Sequence, residues 1–222
     1  TADGRITAKA TGTTTVTVIN RSGEQVVPVA VVVPTGGGVG EAGGVVLGPD
    51  GQMIGLGAGQ VEDGTTVTIT TLGEAELAMP VPEIVDFAAA FHVEVQGSGV
   101  EGPMQIAVPV GPEFAPGETV YFFVEVESEL SGTLQKYWAA IDAGVVGEDG
   151  YARTTSPPWP GLSQNGNILM ARANQPLRTV TLDLGALQAS SVMLFMGMAT
   201  GSVVGMAVFS AAAIATITFP MV

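Results

Sequence analysis

The chain has 222 residues, of which 46% are hydrophobic and only 13% charged; 21 acidic side chains against 7 basic ones give a formal net charge of -14. It holds no Cys and a single His, which excludes a disulfide framework, a thiolate zinc site, a Cys nucleophile and a His-rich metal cluster. So acidic a chain, without a basic patch, is not expected to track a phosphate backbone, and no nucleic-acid partner is expected.

A chain of this length buries roughly 70% of the surface it exposes when unfolded, so a sizeable core is available. It begins Thr1-Ala2-Asp3-Gly4-Arg5, with neither an initiator Met nor a signal peptide, which reads as a processed chain or a fragment of a longer one. Strand signals then dominate. Gly12 to Ile19 alternates Thr and Val and is rich in β-branched residues. A turn at Arg21-Ser22-Gly23 leads into Val26 to Val33, which is apolar on both faces like a central or sandwich-core strand. Pro28 places the first part of that strand at an edge or a bulge. Thr35 to Gly40 is a Gly-rich loop; it lacks the Lys-Ser/Thr ending of a phosphate loop. Gly44 to Leu47 and Gln52 to Leu56 flank a turn at Gly48-Pro-Asp-Gly51, and Thr65 to Thr71 alternates again.

A first domain is expected over residues 1–73, a stiff linker over 74–83 on account of Pro80 and Pro82, and a second domain over 84–222. Ile84 to Ala90 reads as the start of a short helix, and Phe91 to Val95 as a strand. Further strands are predicted over Gln105–Val110, Thr119–Glu127, Thr133–Ala140, Ile168–Ala173 and Leu177–Leu184. Asp-Gly pairs at Asp3, Asp50, Asp63 and Asp149, with Asn165-Gly166, read as turns because these residues tolerate positive φ. From Leu184 to the end there is no charge. Within that tail, Val192 to Phe219 is long enough to span a bilayer, and Gly197, Gly201 and Gly205 repeat every fourth residue. No Lys or Arg flanks it, and Ile214 to Phe219 alternates, so buried strands are favoured over membrane contact. Together the pattern predicts an all-β protein of two β-sandwich, Ig-like domains.

Two stretches carry a family resemblance. Val16 to Val33, with its Ser-Gly turn and the later Asp50-Gly51, resembles the carboxypeptidase-regulatory-like and related Ig-like modules of bacteria, with Pro28 where those modules carry a small Gly-Ala step. Gly144 to Gly166, running through Asp149-Gly150 into Trp159-Pro160-Gly161, is similar to ZU5/UPA-like β-sandwich segments of large secreted bacterial proteins, and Gly117-Glu-Thr-Val-Tyr121 fits the preceding strand entry. The resemblance implies an extracellular structural or adhesive role and transfers no functional residue.

The candidates for chemistry are few. His92 is the only imidazole base and shares a strand face with Glu94, but there is no G-x-S-x-G elbow, and Ser98 lacks that frame. Glu125, Glu127 and Glu129 alternate onto one strand face, which reads as a solvated acidic surface opposite Phe122, Val124 and Val126. Oxygen donors are plentiful, but the EF-hand spacing is absent, so calcium binding stays open. Trp159, in the rigid Pro-Pro-Trp-Pro run, and Tyr151 are the candidate ligand-contact aromatics, with carbohydrate as the ligand class; Trp138 is expected in a core. No catalytic residue and no cofactor are expected. The reading is therefore a non-enzymatic structural or adhesive module of a secreted bacterial surface protein, with protein partners or self-association. The alternatives are a subunit of an extracellular filament or sheath assembled by strand addition, and, third, a hydrolase using acidic residues.

Overall fold

The computed structural model of the chain describes residues 10–21, 23–31, 36–130, 133–156, 159–174, 177–183, 206–209 and 214–220. Over these residues the protein is all-β. The strands are β1 (Gly12–Asn20), β2 (Gly23–Val31), β3 (Gly38–Val39), β4 (Gly44–Leu47), β5 (Met53–Leu56), β6 (Thr65–Leu72), β7 (Val85–Gln96), β8 (Gln105–Pro109), β9 (Thr119–Leu130), β10 (Thr133–Val146), β11 (Tyr151–Thr154), β12 (Gly166–Ala173), β13 (Leu177–Asp183), β14 (Met206–Phe209) and β15 (Ile214–Pro220). β1 and β2 form a two-stranded sheet, and β13, β15 and β14 form a three-stranded one.

The remaining ten strands form one antiparallel sheet in the order β3-β6-β7-β12-β9-β10-β11-β8-β5-β4. Its two outermost strands, β3 and β4, are consecutive in the chain. The four residues between them span at most about 18 Å, so the sheet must curl until its edges meet. They do meet: Gly43 N–H donates to Gly40 O at 2.8 Å, and a Cβ on Gly44 would sit 3.1 Å from Val39 Cγ1. The β4–β5 turn is tied to the far end of β6. Gln52, buried, donates to Thr71 Oγ1 at 3.1 Å, and Thr71 donates to Asp50 at 2.5 Å. The result is a nearly closed antiparallel sheet.

Strand alternation sorts its two faces. In β6, Val67 and Ile69 point inward while Thr66, Thr68 and Thr70 face out. In β9, Val120, Phe122 and Val124 point inward and Tyr121, Phe123 and Glu125 outward. The inner face gathers the main core, with Ile54, Phe91, Ile106, Phe122 and Ile168 all fully or almost fully buried. Burying each such side chain is worth about 1.5–3 kcal/mol. A second apolar cluster, built on Phe123, Trp138, Leu169 and Val85, lies on the outer face of β7, β12, β9 and β10.

Three sequence expectations meet a different structure. The residues from Ile84 do not start a helix; Val85 opens a twelve-residue strand. The register of β7 against β12 shifts between Ala89 and Phe87, so Ala88 is an extra residue. That bulge hides the two-residue period within Ala88-Ala89-Ala90. Residues 74–83, expected as a linker, lie over the outer cluster instead. Leu77, Met79 and Val81 pack on it, and Trp138 Nε1–H donates to Pro80 O at 3.1 Å. The strands on either side of this segment, β6 and β7, pair with each other from Thr66↔Gln96 to Leu72↔Ala90, so one sheet runs through both expected halves. β2, expected as a central strand, pairs only with β1 among the described residues, and Val26 is 54% exposed. Of Val192–Phe219, residues 206–209 and 214–219 are strand; the rest of that stretch lies outside the described residues.

Candidate functional site

Four neighbouring strands place one polar side chain each in a row across the outer face. Inward Phe91 and Val93 leave His92 of β7 facing out, and inward Ile168 does the same for Asn167 of β12. Glu125 of β9 and Lys136 of β10 complete the row. Asn167 Nδ2–H donates to Glu125 Oε2 at 2.7 Å, and Lys136 Nζ donates to Glu125 Oε1 at 2.6 Å. Asn167 Oδ1 is then the acceptor facing His92 Nδ1 at 2.8 Å, so that nitrogen carries a proton. Glu127 stands 4.0 Å from the same Lys136 ammonium.

Burial pushes the Glu125 carboxyl up, but hydrogen bonds from Lys136 and Asn167, with the charges of Lys136 and His92, outweigh it and hold the group below the ordinary Glu range. Lys136 is raised by the same hydrogen bond and charge. The row thus joins sheet neighbours through mutually satisfied groups, the polar counterpart of a cross-strand apolar pair.

A second polar centre lies inside. β10 carries a register shift between Ala140 and Asp142, and the bulge turns Asp142 into the interior, where it is fully buried. Its carboxylate accepts from Thr155 N–H at 3.0 Å, from Ser156 N–H at 3.3 Å and from the Ser156 hydroxyl in a short contact. Burial raises its pKa, and these hydrogen bonds oppose the rise. Ser156 Oγ also lies 3.0 Å from Trp159 O, and Gly161 N–H donates to Ile141 O at 2.8 Å. Asp142 therefore anchors the segment that carries Trp159.

The sequence-selected residues fall as follows. Trp159 is half-buried beyond the Thr154 end of β11, near the Met104↔Leu162 bridge. Tyr151 is half-buried at the other end of β11, with the Arg153 guanidinium 5.3 Å from its ring centre. The strand separates the two aromatics, so they do not form one platform. His92 and Glu125 are brought together through Asn167, while Glu129 lies where its side chain is not described. Ser156 and Asp142 pair inside the sheet and His92 lies outside it, so these three do not converge as a Ser-His-Asp triad. Sequence reasoning missed Asn167, Lys136 and Asp142. A bulge gives no signal in composition, and a single Asp in an apolar strand was the only hint of the buried carboxylate.

Among the described residues, no group of three or more His, Asp or Glu side chains is placed to hold a metal ion, and no helix is long and apolar enough to cross a membrane. No protein-family model matches the chain, and comparison with curated proteins finds no relative.

Proposed function

We propose that this chain is a non-enzymatic structural or adhesive module of a secreted bacterial cell-surface protein. In this reading the ten-stranded body is one load-bearing unit, related in its turn-and-strand pattern to Ig-like and ZU5/UPA-like sandwiches. The observation that carries the reading is the clasp across β7, β12, β9 and β10. The charged and polar groups of the exposed face pair with one another across strands and do not converge on an open reaction centre. Such pairs resist sliding of neighbouring strands, which is what a spacer under tension needs. Adhesion in this reading rests on the Asp142-anchored loop carrying Trp159, since loops on a rigid scaffold are where binding specificity resides.

Single-molecule pulling on the chain between two well-characterised reference domains tests this. A spacer unfolds in one dominant event. Extending the roughly 140 residues from 36 to 174 at about 3.5 Å each releases close to 45 nm of contour length after the folded span is subtracted. A body that peels away in many small, low-force steps contradicts a mechanical role.

A further inference from the structure

We propose that β1 is a self-pairing edge: two copies of this chain join β1 to β1 antiparallel about a two-fold axis at Val16, giving a closed dimer through a four-stranded sheet β2-β1-β1-β2. This goes beyond the structural-module reading and does not depend on it.

The argument starts from the ladder of the hairpin. β1 and β2 pair without a register shift from Gly12↔Val31 to Asn20↔Gly23, with Thr15 opposite Pro28. In an antiparallel pair, hydrogen-bonded and non-hydrogen-bonded positions alternate. Pro28 has no N–H to give Thr15, so their pair is a non-hydrogen-bonded one; counting out from the closing pair Asn20↔Gly23 of the two-residue connection gives the same phase. At such pairs the backbone groups point away from the partner strand. The outward-facing amides of β1 are therefore those of Thr13, Thr15, Thr17 and Ile19, and every one of them is a donor. The outward positions of β2 are Glu24, Val26, Pro28 and Ala30, and this edge is interrupted at Pro28. Proline on an edge strand is a known way of blocking strand addition. The hairpin thus has one complete edge and one blunted edge, and among the described residues β1 pairs with nothing but β2.

Two further features select a second copy as the occupant. The chain carries a formal charge of -14, so copies repel over most of their surface, yet Gly12 to Asn20 contains no charged residue. The outward set is also self-complementary. Reversed about Val16, positions 13, 15, 17 and 19 fall on 19, 17, 15 and 13, so every outward donor meets an outward acceptor, for roughly eight new backbone hydrogen bonds. Ile19, 75% exposed, then gains a neighbour in Thr13 of the second copy. Because β2 is blunted, addition stops at two chains; a filament would need both edges.

The test uses the full chain. Val16 lies on the two-fold axis in a non-hydrogen-bonded pair, where Cα atoms approach to about 4.5 Å, within disulfide reach. The chain has no other Cys, so Val16→Cys is expected to cross-link to a covalent dimer under mild oxidation, while Val18→Cys, four residues out of register with its own copy, is not. Sedimentation equilibrium of the unmodified chain, whose mass is 22.5 kDa, is expected to show twice that mass at tens of micromolar protein. Thr15→Pro removes only an outward donor and leaves the β1–β2 bonds intact, so it is expected to give monomer at the same concentrations. Pro28→Val restores the second edge and is expected to drive growth beyond the dimer. A monomer at all concentrations, a dimer that survives Thr15→Pro, or equal cross-linking at residues 16 and 18 would each overturn the proposal.

Discussion

Replacing Asp142 by Ala should lower the unfolding temperature markedly, and the size of the drop follows from the donors left behind. Four donor groups face the carboxylate, the N–H and hydroxyl of Thr155 and of Ser156, and the Thr155 hydroxyl also donates to Ala143 O at 2.8 Å. Thr155 N–H keeps a second acceptor, Ala143 O at 3.1 Å, and the Ser156 hydroxyl keeps Trp159 O at 3.0 Å. Among the described residues Ser156 N–H has no other acceptor, and it lies in a buried residue. An orphaned buried donor costs about 1–3 kcal/mol, and the charge-assisted bond to the hydroxyl is lost as well. Relief of the carboxylate's own burial offsets part of this, leaving a net loss of about 2–3 kcal/mol. For a domain of this size that is a drop in Tm of about 5–10 °C. The pH dependence has a definite sign. The folded pKa of Asp142 is raised, so the folded state holds this proton more tightly than the unfolded state does. Its contribution to stability is greatest at low pH and falls as pH rises from the unfolded value, near 3.9, through the folded one. Asp142→Asn removes this titration, so the wild-type Tm should gain on that of the Asn variant as pH is lowered from 7 towards 4. Circular-dichroism melts of the three proteins across that range make the comparison. An Ala variant within about 1 °C of wild type at pH 7, or an Asn variant with the wild-type pH slope, would refute the reasoning.

Glu125→Gln should act with the opposite sign. The folded pKa of Glu125 is depressed, so its stabilising contribution is present above about pH 4.3 and lost as pH falls through the folded value; melts should show a deficit at pH 7 that shrinks as the pH falls below about 4. Gly43 and Gly59 both sit at positive φ (74° and 78°), but a Cβ on Gly43 meets Leu56 O at 2.4 Å while one on Gly59 meets nothing. Gly59→Ala should therefore cost about 1 kcal/mol and Gly43→Ala at least twice that, read from urea midpoints; equal costs would deny the tight closure at β4. Trp138→Phe keeps most of the apolar packing and loses the bond to Pro80 O, which should cost about 1 kcal/mol and speed amide exchange across residues 77–85 more than elsewhere.

Much of the local structure was legible because its signals are local. The Thr/Val alternation of β1 and β6 and the apolar runs of β4, β5 and β9 mark strands directly. The Asp-Gly pairs at residues 50, 63 and 149 each place Gly at φ between 75° and 86°, as a turn requires. Pro28 marked the first part of β2 as an edge or a bulge, and among the described residues that strand pairs only with β1. What the sequence did not reveal depends on long-range pairing. Nothing in Leu72 or Val85 says that their strands are partners, so the prolines at 80 and 82 read as a linker when they lie over an apolar cluster. The bulges at Ala88 and Ile141 break the two-residue period and concealed both the true extent of β7 and the inward turn of Asp142. The polar row was half visible: His92 and Glu125 stood out as titratable groups, but Asn167 and Lys136 join them only through the register of β12 and β10.

Native-state hydrogen exchange tests most directly the claim that strands on both sides of residues 74–83 form one cooperative body. Amides of Ile69, Val93, Val108, Val124 and Ile168, taken from five strands around the sheet, should exchange with a common free energy equal to that of global unfolding and respond alike to denaturant. Two classes of protection, with Ile54 and Ile69 opening well before Val93 and Ile168, would mean that the chain divides near residue 73 and that the continuous sheet is not its cooperative unit.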